Sequence, residues 1–366
     1  RRYQESMSIS MDDTANIKSL PSRTNGSISD DDDGSSSSRN SNDDDKKWKV
    51  HDTPQDSGLI PTIAVTLWLG WNGFVLWIML YGIIFADNVA RAVIIGSISA
   101  SLALPANFPG QLGYRMGDWM MVRAEKYFGL KTVIEDEDDL IHHSEQNKAL
   151  IFAFSPHDML PYAVFAFNPI LRRLPGKIGR EVSCLMTSAV FNVPFLKHVY
   201  SWVRGLPVDK RTFLRRLHSG ESFTFNPGGV QEVLMTNPQN PNDVILYLKK
   251  RKGFVKLALS TGSPIVTTFG FNLDGSYGHW FPRNALVERI SRRMGVVPLV
   301  FWGRWCIPFG IPNPQKIHIV IGRAIDVPKQ GESVTQENIN KYHDIYLNEL
   351  EALFERHKHE AGYGDR

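Results

Sequence analysis

Apolar and polar positions divide the chain into three stretches that predict different structures. Residues 1–58 hold no sustained apolar run and are rich in Ser, Asn and Asp, with blocks at Asp30 to Asp33, Ser35 to Ser38 and Asp43 to Asp45. Such a stretch cannot bury a core and reads as a disordered acidic tail. From Leu59 to Ala86 the pattern inverts: 28 consecutive positions carry no charge and include Trp68, Trp71, Trp77 and Tyr81. A second uncharged stretch, Ala92 to Tyr114, follows after a link of only Asp87-Asn88-Val89-Ala90-Arg91. About 20 apolar residues cross a bilayer core, so either stretch is long enough. The short link predicts a membrane-embedded helical hairpin over 59–114. Lys46, Lys47 and Lys49 before it, with Arg115, Arg123 and Lys126 after it, place both flanks on the cytosolic face.

Residues 115–366 then read as a cytosol-facing α/β domain with a mixed, largely parallel sheet. Apolar runs predict strands at Leu150–Phe154, Val182–Met186, Ser222–Phe225, Ile265–Phe269 and Ile317–Ile321. Gly253 to Ser260 reads as a helix, with Gly262 as its stop signal. A final helix over about 336–359 has an apolar face of Tyr342, Ile345, Leu350, Leu353 and Phe354, and capping-box spacing from Ser333 to Gln336.

Charge sharpens this division. The chain of 366 residues carries net +3, but the tail holds −4 of it, leaving +7 for residues 59–366. A mildly basic body suits a membrane surface or a phosphorylated co-substrate better than a nucleic-acid groove. Two cysteines, Cys184 and Cys306, allow neither a disulfide framework nor a Cys-rich zinc pattern. The adjacent His142 and His143 diverge and lack metal-ligand spacing, so no metal is expected. No cleavable signal peptide is expected ahead of the first apolar run, although the chain begins at Arg1.

Four blocks carry candidate chemistry. The run Leu150 to Phe154 ends abruptly in Ser155-Pro156-His157-Asp158. Open α/β sheets place ligands at the carboxyl ends of such strands, and His157 is the side chain of this tetrad that takes a proton near neutral pH. The second block, Ser201 to Arg211, surrounds Gly205 and Pro207 with cations that include Arg204. In the third, a strand ends in Asn226-Pro227-Gly228-Gly229, where backbone N–H groups can approach a ligand oxygen with no Cβ in the way. Glu232, four residues past Gly228, can orient a histidine or a substrate hydroxyl. The fourth opens a helix with Lys249-Lys250-Arg251-Lys252 ahead of Gly253, a pattern suited to phosphates.

In this order the blocks resemble the type-2 diacylglycerol acyltransferases, with their monoacylglycerol and wax-alcohol relatives. The resemblance covers about residues 105–362. It is carried most specifically by Gly228-Gly229-Val230-Gln231-Glu232 and by Arg251-Lys252-Gly253-Phe254-Val255-Lys256-Leu257-Ala258-Leu259. Phe301-Trp302-Gly303-Arg304 and Tyr342-His343-Asp344-Ile345-Tyr346 support it. The family tetrad reads His-Pro-His-Gly, so Ser155 and Asp158 depart from it while Pro156 and His157 match. The wider glycerolipid acyltransferases place Asp five positions after the His, where this chain has Tyr162.

The resemblance implies a glycerolipid-acyltransferase-like domain that moves an acyl group from acyl-CoA, its co-substrate, to diacylglycerol, with no cofactor. It implies His157 as base, oriented by Glu232 or Asp158, oxyanion stabilisation near Gly228 and Gly229, and acyl-CoA binding by Arg251, Lys252, Gly253 and Arg204. It also implies the endoplasmic reticulum membrane and lipid droplets. Monoacylglycerol or a long-chain alcohol as acceptor, a non-catalytic droplet scaffold and a homo-oligomer stay open. The aromatic run at 301–312 suits an acyl tunnel, a bilayer contact or ordinary core.

Overall fold

A computed structural model describes residues 48–158, 178, 182–235, 246–295 and 297–364. The tail reading for 1–47 and the comparison at Tyr162 lie outside the described residues. The strands are β1 (Lys49–Asp52), β2 (Lys131–Ile134), β3 (Ile151–Ser155), β4 (Ser183–Met186), β5 (Gly205–Pro207), β6 (Phe223–Phe225), β7 (Ile265–Phe271), β8 (Gly278–Trp280), β9 (Val300–Trp302) and β10 (His318–Ile325). The first five helices are α1 (Leu59–Val65), α2 (Trp71–Phe85), α3 (Asn88–Ala103), α4 (Gln111–Tyr127) and α5 (Glu137–Glu145). They are followed by α6 (Leu196–Trp202), α7 (Lys210–His218), α8 (Val230–Met235), α9 (Gly253–Thr261), α10 (Ala285–Met294) and α11 (Gln336–His357).

Eight strands form one sheet in the order β1-β2-β10-β7-β3-β6-β4-β5. The block β7-β3-β6-β4-β5 is parallel throughout, while β10 is antiparallel to β7 and β1 to β2. The sheet is mixed and largely parallel, as the sequence predicts. Strands buried on both faces read as continuous apolar runs, which is why β3 and β7 are legible. Alternation then sorts β3 between two cores: Phe152 and Phe154 pack with residues of α4 and α6, Ile151 and Ala153 with residues of α7, α9 and α11.

The long apolar run differs from expectation. A π-turn, Thr66–Gly70, separates α1 from α2. The part before α2 is protein core: Ala64, Val65, Trp68 and Leu69 are buried, three of them in the cluster that holds Met120 and Tyr127 of α4. An uncharged run does not distinguish lipid from a protein interior, since both are apolar. The part beyond Gly70 turns outward, with Trp77, Tyr81, Ile83, Ile84 and Phe85 exposed on α2 and Val89, Val93 and Ile95 on α3. Asp87 caps α3 by accepting from Ala90 N–H at 2.7 Å. No described helix is long and apolar enough to cross a membrane.

The expected boundary of the tail also moves. β1 pairs with β2, matching Lys49 to Ile134 and Asp52 to Lys131, and the Trp48 ring lies 4.3 Å from that of His357. Residues 48–52 therefore belong to the domain, a pairing invisible in a segment this short and charged. In α11 the cap is Thr335, which accepts from Asn338 N–H, rather than Ser333, and Tyr346 faces the core while Ile345 is exposed.

Close packing fixes the contact between α4 and α6. A Cβ on Gly117 would stand 2.2 Å from the backbone oxygen of Trp202. Gly117→Ala is expected to destabilise the protein by about 1–3 kcal/mol through overpacking, measured as a lower midpoint in denaturant with an unchanged slope.

Candidate active site

The carboxyl ends of β3 and β6 lie side by side, because Ile151 to Ala153 register with Phe223 to Phe225. The tetrad after β3 and the Asn-Pro-Gly-Gly loop after β6 therefore meet. Asn226 Nδ2 ties the two loops, donating to Phe154 O at 3.0 Å and to Pro156 O at 3.5 Å. α9 runs back to the start of the parallel strand β7, so its amino end, with Arg251 and Lys252, lies at this same edge of the sheet.

Glu232 is the anchor of the site, though not as the sequence suggests. It is 1% exposed, and its Oε2 accepts the backbone N–H of His157 at 2.6 Å while Oε1 accepts that of Tyr247 at 2.9 Å. Burial raises its pKa to about 7, opposed by those two donors and by the Arg251 charge. The carboxylate thus holds the histidine through its main chain and not through its ring. The imidazole is held instead by Asp158's backbone carbonyl, 2.6 Å from Nδ1. A carbonyl only accepts, so Nδ1 carries the proton and Nε2 keeps its lone pair. Burial lowers the His157 pKa, which keeps the ring neutral near neutral pH.

Gly228 and Gly229 are glycines for different reasons. A Cβ on Gly228 would fall 1.9 Å from the Glu232 carboxyl carbon, so that position yields its space to the buried acid. Gly229 has φ +58° and nothing within 4 Å of its Cβ direction, so the space beside it is open. Ser155 is fully buried at the end of β3, before a cis bond to Pro156. Its Oγ faces the buried hydroxyl of Tyr346, which lies in the field of Glu232. Tyr247 and Tyr346 also join the site: sequence reasoning missed Tyr247, and it named Tyr346 only within a supporting motif, without a place at the site.

The basic residues separate into two groups. Arg251 Nη2 donates to Gly228 O at 3.3 Å and its guanidinium lies 5.2 Å from the Tyr247 ring centre. Lys252, the residue before Gly253, donates to Asn340 Oδ1 at 2.8 Å. Arg204 is elsewhere. It precedes β5, three strands from β3, and the registers set Gly205 level with Phe152, well before the carboxyl end. Strand spacing and rise put it about 20 Å from Ser155. There it pairs with Asp118 at 2.7 Å and lines an open cleft of about 500 Å³ with Arg216. Arg204 and Arg251 thus stand at different parts of the sheet, since spacing in sequence does not report which end of a strand a loop joins.

The family model for diacylglycerol acyltransferase matches residues 92–365. Diacylglycerol O-acyltransferase 2 of Dictyostelium discoideum is 34% identical over 247 residues, 63% of this chain and 71% of the relative. Diacylglycerol O-acyltransferase 1 of Schizosaccharomyces pombe is 31% identical over 58% of this chain and 64% of its own length. Human 2-acylglycerol O-acyltransferase 3 is 35% identical over 43% of this chain and 48% of its own. A family match that spans most of the chain, with relatives about one-third identical, leads to one conclusion: the protein is an acyltransferase and belongs to the diacylglycerol acyltransferase family.

Proposed function

We propose that the chain acylates diacylglycerol from acyl-CoA, with His157 as the base in a direct transfer. The observation that carries this reading is the aim of the imidazole: Nδ1 is committed to Asp158 O, the main chain is clamped by Glu232, and Nε2 is left basic at a sheet edge. Nε2 takes the proton of the acceptor hydroxyl as that oxygen attacks the thioester carbonyl. Backbone N–H groups beside Gly228 and Gly229 stabilise the resulting oxyanion. Its collapse breaks the carbon–sulfur bond, and the CoA thiolate recovers the proton from the imidazolium. No covalent acyl-enzyme is needed, and Ser155, the fully buried first residue of the tetrad, is not the nucleophile.

Arg251, Lys252 and the backbone of Gly253 hold CoA phosphates at the same edge. Lys252→Ala is expected to raise KM for acyl-CoA by roughly tenfold, the effect of one lost charge-assisted contact, with kcat little changed. Arg204→Ala is expected to leave that KM unaltered. Initial rates across acyl-CoA concentrations check both.

The exposed apolar faces of α2 and α3 support a reading in which the hairpin is held in a membrane, that of the endoplasmic reticulum by family resemblance, with both flanks cytosolic and the acceptor drawn from the lipid phase. Removing residues 75–100 is expected to release the protein into the soluble fraction on membrane flotation. Monoacylglycerol is the second reading, favoured by the match to human 2-acylglycerol O-acyltransferase 3. Labelled acyl-CoA offered with diacylglycerol, monoacylglycerol or hexadecanol tests the choice. Triacylglycerol as main product supports the first reading, and diacylglycerol from monoacylglycerol supports the second.

A further inference from the structure

One helix beside the site exposes what a soluble surface usually hides. On α10 the side chains Leu286, Ile290 and Met294, four residues apart, form a single stripe, with Leu286 65% and Met294 63% exposed. Arg289 and Arg293 run along its flank. The opposite face belongs to the protein: Ser291 is buried, and Arg292 Nε donates at 2.9 Å to Gln231, the neighbour of Glu232. The stripe thus lies one helix away from the catalytic anchor.

Other large apolar side chains are exposed as well. Trp280 of β8, Trp305 and Ile307 are exposed, and Ile311 of the same aromatic segment reaches Gly70 at the root of α2. From the other end of α10, Gly295 sits against Thr187, whose chain leads to Phe195, and the Phe195 N–H donates to Ser101 Oγ of α3 at 2.6 Å. The stripe is thus tied to the site through Gln231, and the aromatic segment and the end of α10 are linked to the hairpin through Ile311 and the Thr187 segment.

We propose that α10, with Trp280, Trp305 and Ile307, lies in the headgroup layer of an anionic bilayer and thereby holds the site, one helix away, at the lipid phase. This rests on the membrane reading of the hairpin and adds to it a second, separate contact. Helices with an aliphatic stripe and flanking cations settle in that layer, where Trp is also favoured and Arg extends to the phosphates. Charge selects this occupant over a second copy of the chain, which would bring Arg289 and Arg293 against their own equivalents.

The test uses the full chain with an environment-sensitive fluorophore on Met294→Cys in a Cys306→Ser background. Cys184 is buried and its thiol pushed up to about 12, so it stays unlabelled. Ser219→Cys, at the opposite end of the parallel strands, is the control site. In vesicles of phosphatidylcholine with about one-fifth phosphatidylserine, spin-labelled lipid of shallow depth is expected to quench the Met294 label and spare the Ser219 label. Leu286→Asp with Ile290→Asp is expected to raise the half-saturating surface fraction of long-chain diacylglycerol roughly tenfold, while a water-soluble short-chain diacylglycerol is used as by the parent. A vesicle-bound protein whose Met294 label escapes quenching overturns the proposal and leaves the hairpin reading intact. A parent that fails to bind vesicles overturns both. A fluorescence shift that follows protein concentration without lipid assigns the face to a second copy and also overturns it.

Discussion

Replacing His157 with alanine is expected to lower kcat by about 10²–10⁴, the usual contribution of a positioned general base, with KM for acyl-CoA nearly unchanged. The split follows from geometry, since Arg251 and Lys252 reach the site from α9 and do not depend on the imidazole. The parent's pH profile carries a second signature. In the proposed mechanism neutral imidazole is the working form, and burial lowers its pKa. The acid limb of kcat/KM is therefore expected below the ordinary histidine value of about 6.5, with activity falling as pH drops through it. Rates measured with saturating diacylglycerol in mixed micelles, from acid to neutral pH, check both parts. An acid limb displaced upward to about 7 would instead report the Glu232 carboxyl.

Glu232→Gln is expected to cost about 10² in kcat, the scale of an ångström-sized displacement of a catalytic group. Both carboxylate oxygens accept from backbone N–H groups, of His157 and of Tyr247. An amide can serve one of them, and its NH₂ confronts the other. Gly228→Ala drives a methyl into the same carboxyl and is expected to act alike, so the double variant should be little worse than either single one. The acid also leaves a mark on stability. Its folded pKa of about 7 lies above the ordinary 4.5, so the native state holds a proton that the unfolded chain has lost between those values. The contribution of Glu232 is fully present below about pH 4.5 and is lost as pH rises through about 7. Thermal melts across that window should show the slope in the parent and a flatter profile in Glu232→Gln.

Much of the fold was legible because its central strands are buried on both faces. The runs before Ser155 and around Ile265 could be little else, and Gly262, at φ +75°, ends α9 where the sequence placed its stop. The edge strands were not legible: Lys49-Val50-His51-Asp52 has no apolar pattern and becomes a strand only because β2 offers it hydrogen-bond partners. The apolar run from Leu59 was legible as apolar but not as divided, since lipid and core select the same side chains. At the site, His157, Gly228, Glu232 and Arg251 were found by residue type and order, and the structure brings them together. Their manner of contact was hidden, because a carboxylate that binds a main-chain N–H leaves no sequence signal. The distance of Arg204 from that group was hidden too, because a loop's cations do not say which end of the sheet they serve. Tyr346 was read as part of a supporting motif, and only the fold sets its hydroxyl beside Ser155.

The most direct measurement expresses the parent and His157→Ala, at equal membrane-bound levels, in yeast unable to make neutral lipid, and quantifies triacylglycerol. Triacylglycerol is expected from the parent and none above background from the variant. Undiminished triacylglycerol from His157→Ala would contradict the assigned base, and a well-expressed parent that makes no triacylglycerol would contradict the proposed reaction.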